Sequence, residues 1–225
     1  MTNAPAPGLA WVHRYVPAPD LGAGAKAPVP PGTVTLLLLH GTGGDENSLV
    51  GLGRLVAPGA NLLAVRGRSL DEGTPRFFRR FGPTSYDQEN IVAEAVALGE
   101  FTRRAAATYG FSPRGLAVLG YSNGANIALA TLAYDPDAFA AAVLLRAVMP
   151  LEQPPAARFG GKPVLLLTGA RDPYAPHARD VGPYLRKGGA ALEELTVAAG
   201  HELVEEDVRR VTDWLTSFGR AVAVG

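Results

Sequence analysis

A serine lies between two glycines in the stretch GYSNG, residues 120–124, which matches the pattern G-x-S-x-G. This pattern is typical of a nucleophilic serine on a sharp strand-to-helix turn, where side chains in place of the glycines would clash. A serine hydroxyl becomes a nucleophile when a histidine takes its proton, and an acid beside that histidine stabilises the charge formed. An ordinary turn is the alternative, because 27 glycines among 225 residues make a chance match common. The prediction that Ser122 is a nucleophile therefore depends on finding its partners.

The candidate acid and base are found directly after predicted strands. Asp172 follows the apolar run KPVLLLTG, and His201 follows LEELTVAAG. Ligands of an open parallel sheet bind at the carboxyl ends of its strands, so we predict that Ser122, Asp172 and His201 act as nucleophile, acid and base. Three alternatives stay open: Asp172 starts a turn before a proline, His201 caps a helix, or Glu152 is the acid.

The other three histidines have structural interpretations. His13 lies on a predicted edge strand, His177 lies at a helix start on the surface, and His40 holds a glycine-rich loop. The four histidines lack the i, i+4 spacing of a helical zinc site, and the chain has no cysteine for thiolate ligands or thiol catalysis. We therefore expect no metal and no cofactor.

That glycine-rich loop, HGTGG at residues 40–44, follows the apolar run TLLLL. The negative oxygen formed when a serine attacks an ester needs N–H donors, and one donor contributes about 2.7–4 kcal/mol. We predict that the backbone amides of Thr42 and Asn123 form this oxyanion hole. A phosphate-binding loop is a poor alternative, because neither G-K-[ST] nor the spacing G-x-G-x-x-G is present.

Alternating strands and helices must position these residues. Val/Leu-rich strands separated by helical patterns predict an α/β fold with a doubly wound, mostly parallel sheet and an antiparallel first edge strand. We expect one domain over residues 1–225, with residues 1–8 loose and a Pro/Gly-rich stretch at 17–32. The predicted strands span 10–17, 34–39, 61–65, 116–119, 140–145, 164–168 and 193–197, and the helices span 49–55, 91–109, 125–134, 176–187 and 204–218.

Composition excludes several classes of partner. The net charge is +0, with 21 basic and 21 acidic residues in scattered positions, so no nucleic-acid partner is indicated. No apolar run approaches the ~20 residues that span a bilayer, and the N-terminus does not read as a secretory signal. We expect a cytoplasmic protein with a small-molecule partner, and a homodimer is compatible with this sequence.

Taken together, LLLLHGTGGDENSL, VLGYSNGANIAL, TGARDPYAP and AGHEL resemble the bacterial phospholipase/carboxylesterase branch of the α/β-hydrolases, which includes the acyl-protein thioesterases. The resemblance covers residues 34–215, and VRGRSLDEGTPRFFRRFGPTSYDQENI resembles a subgroup of carboxylesterases linked to hydroquinone metabolism. It implies the same roles for Ser122, Asp172, His201, Thr42 and Asn123. Where acyl-protein thioesterases have Ser-Gly, this chain has Arg146-Ala147, which weakens the expectation of protein deacylation.

The substrate pocket is the least determined part of the sequence. The segment 146–161 is too short for a cap domain, so we expect an open, shallow site walled by the 66–90 connection and the segment after Arg146. Phe77, Phe78 and Arg146 are the predicted substrate-binding residues, although the two aromatic rings could instead attach the connection to the body. Ser85 and Gln88 read as a capping box for the helix that follows.

We predict a serine hydrolase that cleaves carboxylic esters with short acyl or aryl groups through an acyl-enzyme. Hydrolysis of thioesters or lysophospholipids is the alternative that uses the same machinery. A non-catalytic binding protein on a hydrolase scaffold is the alternative from another class, and the presence of serine, acid and histidine together argues against it.

Overall fold

A computed structural model describes residues 9–18, 32–70 and 73–224. The predicted loose segment 1–8 and most of the Pro/Gly-rich stretch lie outside the described residues. The described strands are β1 (His13–Val16), β2 (Thr35–Leu39), β3 (Asn61–Val65), β4 (Leu116–Tyr121), β5 (Ala141–Leu145), β6 (Pro163–Gly169) and β7 (Ala191–Val197). The described α-helices are α1 (Val50–Val56), α2 (Gln88–Tyr109), α3 (Asn123–Tyr134), α4 (Ala175–Ala178), α5 (Val181–Lys187) and α6 (Glu205–Val224).

One sheet contains all seven strands, in the order β1-β3-β2-β4-β5-β6-β7. The edge strand β1 is antiparallel to β3, and every other pairing is parallel. The predicted α/β class with a doubly wound, mostly parallel sheet is therefore confirmed. After β2 the chain forms β3 on one side of it and then crosses over to form β4 on the other side. The direction in which strands are added therefore reverses between β2 and β4. Ligands bind at such a reversal, outside the carboxyl ends of the strands.

Helices cover both faces of the sheet, which explains why its inner strands are continuous apolar runs. In β2, Leu37 and Leu39 pack into the core under α2 and α3, while Leu36 and Leu38 pack into the core under α1 and α6. All four leucines are buried. The helix α3 is buried along almost its whole length, since its alanines let it approach the sheet closely.

The predicted helix over 176–187 is wrong in one respect, because it is divided into α4 and α5. Pro183 lies in the first turn of α5. In a continuous helix its nitrogen would donate to the carbonyl of Arg179, but proline has no N–H and its ring clashes with that carbonyl. The helix therefore ends and begins again before the proline.

The predicted capping box at Ser85 is also wrong, because Asp87 caps α2. The Asp87 side chain accepts a hydrogen bond from the Asn90 amide at 3.0 Å. The Gln88 side chain instead donates to the Pro150 carbonyl at 3.1 Å and accepts from the Glu152 amide at 3.0 Å. A carboxylate is the stronger acceptor at a helix N-terminus, and Gln88 is left to hold the segment after β5.

Candidate active site

Ser122 lies on a strained turn between β4 and α3. Its backbone angles are φ 52° and ψ −117°, in a region that side-chain-bearing residues seldom adopt. The Ser122 amide donates to the Leu145 carbonyl at 2.9 Å, which ties the turn to the end of β5. Such strain costs about 1–3 kcal/mol and is concentrated at functional sites.

The two flanking glycines are required by close backbone contacts. A Cβ on Gly120 would lie 2.5 Å from the Gly124 carbonyl oxygen, as expected for a turn that folds back on itself. A Cβ on Gly124 would lie 2.0 Å from the carbonyl oxygen of Leu39, at the end of β2. The second glycine therefore serves the packing of the turn against the neighbouring strand.

The side chains of Ser122, His201 and Asp172 form one hydrogen-bonded series. The His201 Nε2 atom lies 2.8 Å from the Ser122 Oγ, and its Nδ1 atom lies 2.8 Å from the Asp172 Oδ2. Since a carboxylate only accepts hydrogen bonds, the Nδ1 atom carries the proton and Nε2 offers its lone pair to the serine hydroxyl. This is the arrangement in which a histidine can take a proton from a serine.

The structure bears on the three alternatives for this acid and base. The second oxygen of Asp172 accepts from the Tyr174 amide at 2.8 Å, so Asp172 also forms the turn that Pro173 suggested. The cap at the start of α6 is provided by Asp207, which accepts from the Val204 amide at 2.8 Å, and not by His201. Glu152 is exposed in the loop after β5.

Thr42 and Asn123 lie on the same cleft as Ser122 and His201. Asn123 is the first residue of α3, so its backbone N–H has no partner inside the helix. Its side-chain oxygen accepts from the Phe77 amide at 2.7 Å, which joins the turn to the 66–90 connection. The loop that carries Thr42 is joined to the same connection, because the Gly43 amide donates to the Pro75 carbonyl at 2.9 Å.

His40 holds this loop in place. Its Nδ1 atom lies 2.6 Å from the Gly41 carbonyl and its Nε2 atom accepts from the Gly67 amide at 2.9 Å, a pattern that requires a neutral ring. Burial of the ring is the main cause that lowers the pKa of His40. His13 bridges the Trp11 carbonyl and the Tyr109 hydroxyl, and His177 is exposed.

The cleft has a volume of about 260 Å³. The walls include Phe78, Tyr86 and Tyr174, and the Tyr174 ring meets the His201 ring edge-on at a centroid distance of 5.0 Å. Its lining residues are Thr42, Arg76, Phe78, Arg80, Pro83, Tyr86, Tyr121, Ser122, Asn123, Asn126, Arg146, Val148, Tyr174 and His201.

Two predicted substrate-binding residues are placed differently from expectation. Phe77 is fully buried behind the cleft wall, where its ring packs on Trp11 and His40, because the neighbouring Phe78 takes the position on the cleft side. The side chain of Arg146 is 0 % exposed and forms an ion pair with Asp207 at 2.7 Å. Arg146 lines the cleft, but its guanidinium is directed into the protein interior by that carboxylate.

A relative with a known name places the chain in a family. The Bacillus subtilis (strain 168) protein named "Putative hydrolase MhqD" is 36% identical over 181 residues, which are 80% of this chain and 90% of that protein. The chain belongs to the carboxylesterases of the α/β-hydrolase fold. No protein-family model matches it.

Solved structures agree with this assignment. A Bacillus cereus carboxylesterase superposes with a TM-score of 0.85 at 30% identity, over 94% of this chain and 96% of that one. A Mesorhizobium loti carboxylesterase superposes with a TM-score of 0.84 at 35% identity, over 96% of this chain and 99% of that one. This carboxylesterase is therefore an enzyme that hydrolyses esters.

Sequence reasoning missed several residues of the carboxylesterase site. Tyr121 directly precedes Ser122, and Tyr174 lies two positions after Asp172. This closeness in the sequence is the only signal that could have indicated them. Asp207 lies in an acidic first turn of α6, a position that normally indicates helix capping. Its ion pair joins residues 61 positions apart, which no local pattern predicts.

The described part of this carboxylesterase has no group of three or more histidine or acidic side chains that could hold a metal ion. Among its described helices, none is both long and apolar enough to cross a membrane.

Proposed function

We propose that this carboxylesterase cleaves esters through a covalent acyl-enzyme on Ser122. His201 takes the hydroxyl proton at Nε2 while the Ser122 Oγ attacks the ester carbonyl carbon, and Asp172 stabilises the imidazolium that forms. The imidazolium then donates its proton to the departing alcohol. A water molecule, deprotonated by His201, attacks the acyl-enzyme, and the imidazolium returns that proton to the departing Ser122 Oγ, which releases the acid and the free serine. The observation that carries this proposal is the pair of 2.8 Å contacts of the His201 ring.

The backbone amides of Thr42 and Asn123 are proposed to stabilise the oxyanion of both tetrahedral intermediates. Both residues line the cleft beside Ser122, and the loop of Thr42 is held by His40 and by the Gly43–Pro75 hydrogen bond. Donors fixed before the reaction need no reorganisation when charge develops, which is why such holes are effective.

The proposed substrates are esters with short acyl or aryl groups. The cleft volume of about 260 Å³ lies just below the ~300–1,000 Å³ that is usual for small-molecule sites. Phe78 limits it, and this side chain is only 1% exposed and packs edge-on against Tyr86 at a centroid distance of 5.3 Å. A rigid wall cannot yield to a longer chain. Each further CH₂ would therefore gain none of the ~0.8 kcal/mol that burial provides, and a chain forced against the wall would move the ester carbonyl away from Ser122.

A series of p-nitrophenyl esters from two to sixteen carbons tests this proposal. We expect kcat/KM to fall beyond roughly six to eight acyl carbons, and Phe78→Ala to move the optimum to longer chains. Phe77→Ala is the matched control, because it removes the same side chain from behind the wall and should lower stability without moving the optimum. A palmitoyl optimum in the wild type that neither change moves would favour the thioesterase or lysophospholipase alternative.

We also propose that the chain folds as a single domain. The support is that one sheet includes strands from β1 to β7, while α6 returns to pack beside α1 near the start of the chain.

A further inference from the structure

Three consecutive backbone carbonyls at the candidate base are held by side chains from the strands beside the nucleophile. The Arg146 Nε atom donates to the Gly200 carbonyl at 3.0 Å, and its Nη2 atom donates to the Glu202 carbonyl at 2.9 Å. Between them, the Tyr121 hydroxyl donates to the carbonyl of His201 itself at 3.0 Å. Hydrogen bonds thus hold the loop between β7 and α6 at His201 and at the residues on either side of it.

The arginine is itself held rigidly. Its Nη1 and Nη2 atoms donate to the two oxygens of Asp207 at 2.9 and 2.7 Å, and both side chains are almost completely buried. Asp207 also accepts from the Val204 amide and so belongs to the start of α6. A bidentate pair of this kind has a defined geometry, which a lysine in place of the arginine could not reproduce.

One anchor adjoins the turn that carries the candidate nucleophile, and the other follows the neighbouring strand, to which the Ser122 amide is hydrogen-bonded. Tyr121 is the last residue of β4 and directly precedes Ser122. Arg146 directly follows β5, where its own amide donates to the Leu167 carbonyl and its φ is 55°. The ends of β4 and β5 therefore fix the positions of both Ser122 and the His201 backbone.

We propose that Arg146 and Tyr121 are positioning residues, which form a clamp that sets the His201 imidazole between Ser122 and Asp172. This inference rests on the proposed function. Both nitrogens of the His201 ring must lie within hydrogen-bonding distance of their partners, Ser122 and Asp172, at the same time. A misplacement of ~1 Å can lower the rate about 10²-fold. The clamp acts on kcat, since the side-chain hydrogen bonds of Tyr121 and Arg146 go to the loop backbone and to Asp207.

Two variants test the clamp, each with a matched control elsewhere in the chain. Tyr121→Phe removes one hydroxyl, and Tyr184→Phe removes a hydroxyl that donates to the Pro155 carbonyl at the same 3.0 Å. Arg146→Lys removes a grip on two carbonyls, and Arg54→Lys removes a similar grip on the carbonyls of Ala60 and Pro17. Each control removes the same kind of contact to a backbone carbonyl, away from the cleft.

We expect kcat to fall about fivefold to tenfold in Tyr121→Phe and about 10²-fold in Arg146→Lys, with KM changed by less than about twofold. The second-order rate of labelling by a small fluorophosphonate should fall in parallel, because it also depends on His201 at Ser122. Both control variants should keep the wild-type kcat and labelling rate, whatever their melting temperatures.

The clamp is overturned if Tyr121→Phe keeps kcat within twofold of its control, or if the variants raise KM and leave kcat unchanged. Should Arg146→Lys fail to fold, Tyr121→Phe decides alone, because it removes a single atom. Failure of the proposed function has a separate signature: Ser122→Ala would stay active and the fluorophosphonate would label another residue.

Discussion

Replacing Asp172 by asparagine should disable the enzyme while leaving its fold intact. The two side chains have the same shape, and one oxygen of residue 172 is committed to the Tyr174 amide at 2.8 Å. The asparagine oxygen keeps that hydrogen bond, so its NH₂ group faces the His201 Nδ1 atom. The ring must then accept at Nδ1 and carry its proton on Nε2, where it can no longer take the proton of Ser122.

The expected loss follows from this reversed tautomer. The same change in serine proteases lowers kcat about 10⁴-fold, which corresponds to about 5 kcal/mol of transition-state stabilisation. The assay is the steady-state hydrolysis of p-nitrophenyl acetate, with thermal unfolding of the variant recorded beside it. We expect the melting temperature to change far less than the activity.

Glu152→Gln is the matched control for this variant. It makes the same acid-to-amide change at the exposed carboxylate that competed for the role of catalytic acid. We expect this control to keep the wild-type rate. A loss below about tenfold in Asp172→Asn, or an equal loss in Glu152→Gln, would refute the assignment of Asp172.

Two further changes test how the turn and the glycine-rich loop are built. Gly124→Ala should prevent folding to an active enzyme, because the added Cβ would lie 2.0 Å from the Leu39 carbonyl oxygen. Gly51→Ala in α1 is the control: its Cβ meets nothing within 4 Å, so this change should raise the melting temperature. An active, soluble Gly124→Ala variant would contradict this account. Because burial lowers the pKa of His40, the unfolded chain binds the proton more tightly, so the stability this group contributes is present above about pH 6.5 and is lost as pH falls through the lowered folded pKa. The free energy of unfolding, measured with urea, should therefore fall more between pH 7 and pH 5 in the wild type than in His40→Gln. An equal pH dependence in the two proteins would count against a buried neutral His40.

The fold could be predicted because the sheet is covered on both faces. A strand buried on both sides is a continuous apolar run such as Leu36–Leu39, and such runs stand out between amphipathic helices. The same topology brings the residues after each strand to one edge, so Ser122, Asp172 and His201 could be selected together before any coordinates. Their catalytic roles stay predictions until the variants are measured.

Features that depend on the direction of a single side chain could not be predicted. Phe77 and Phe78 are adjacent and chemically equal, and only the path of the 66–90 connection decides which one faces the cleft. Arg146 has no local acidic partner in the sequence, so its burial against Asp207 depends on the tertiary fold bringing the end of β5 to the start of α6. Both differences concern the substrate pocket, whose walls come from connections without regular periodicity.

The central claim is that Ser122 is the nucleophile, and covalent labelling tests it most directly. A fluorophosphonate should add one probe to each chain, and peptide mass mapping should find it on the Ser122 Oγ. Ser122→Ala should lose both the labelling and the turnover of p-nitrophenyl acetate, with an unchanged melting profile. Stoichiometric labelling of any other residue, together with an active Ser122→Ala enzyme, would contradict the claim.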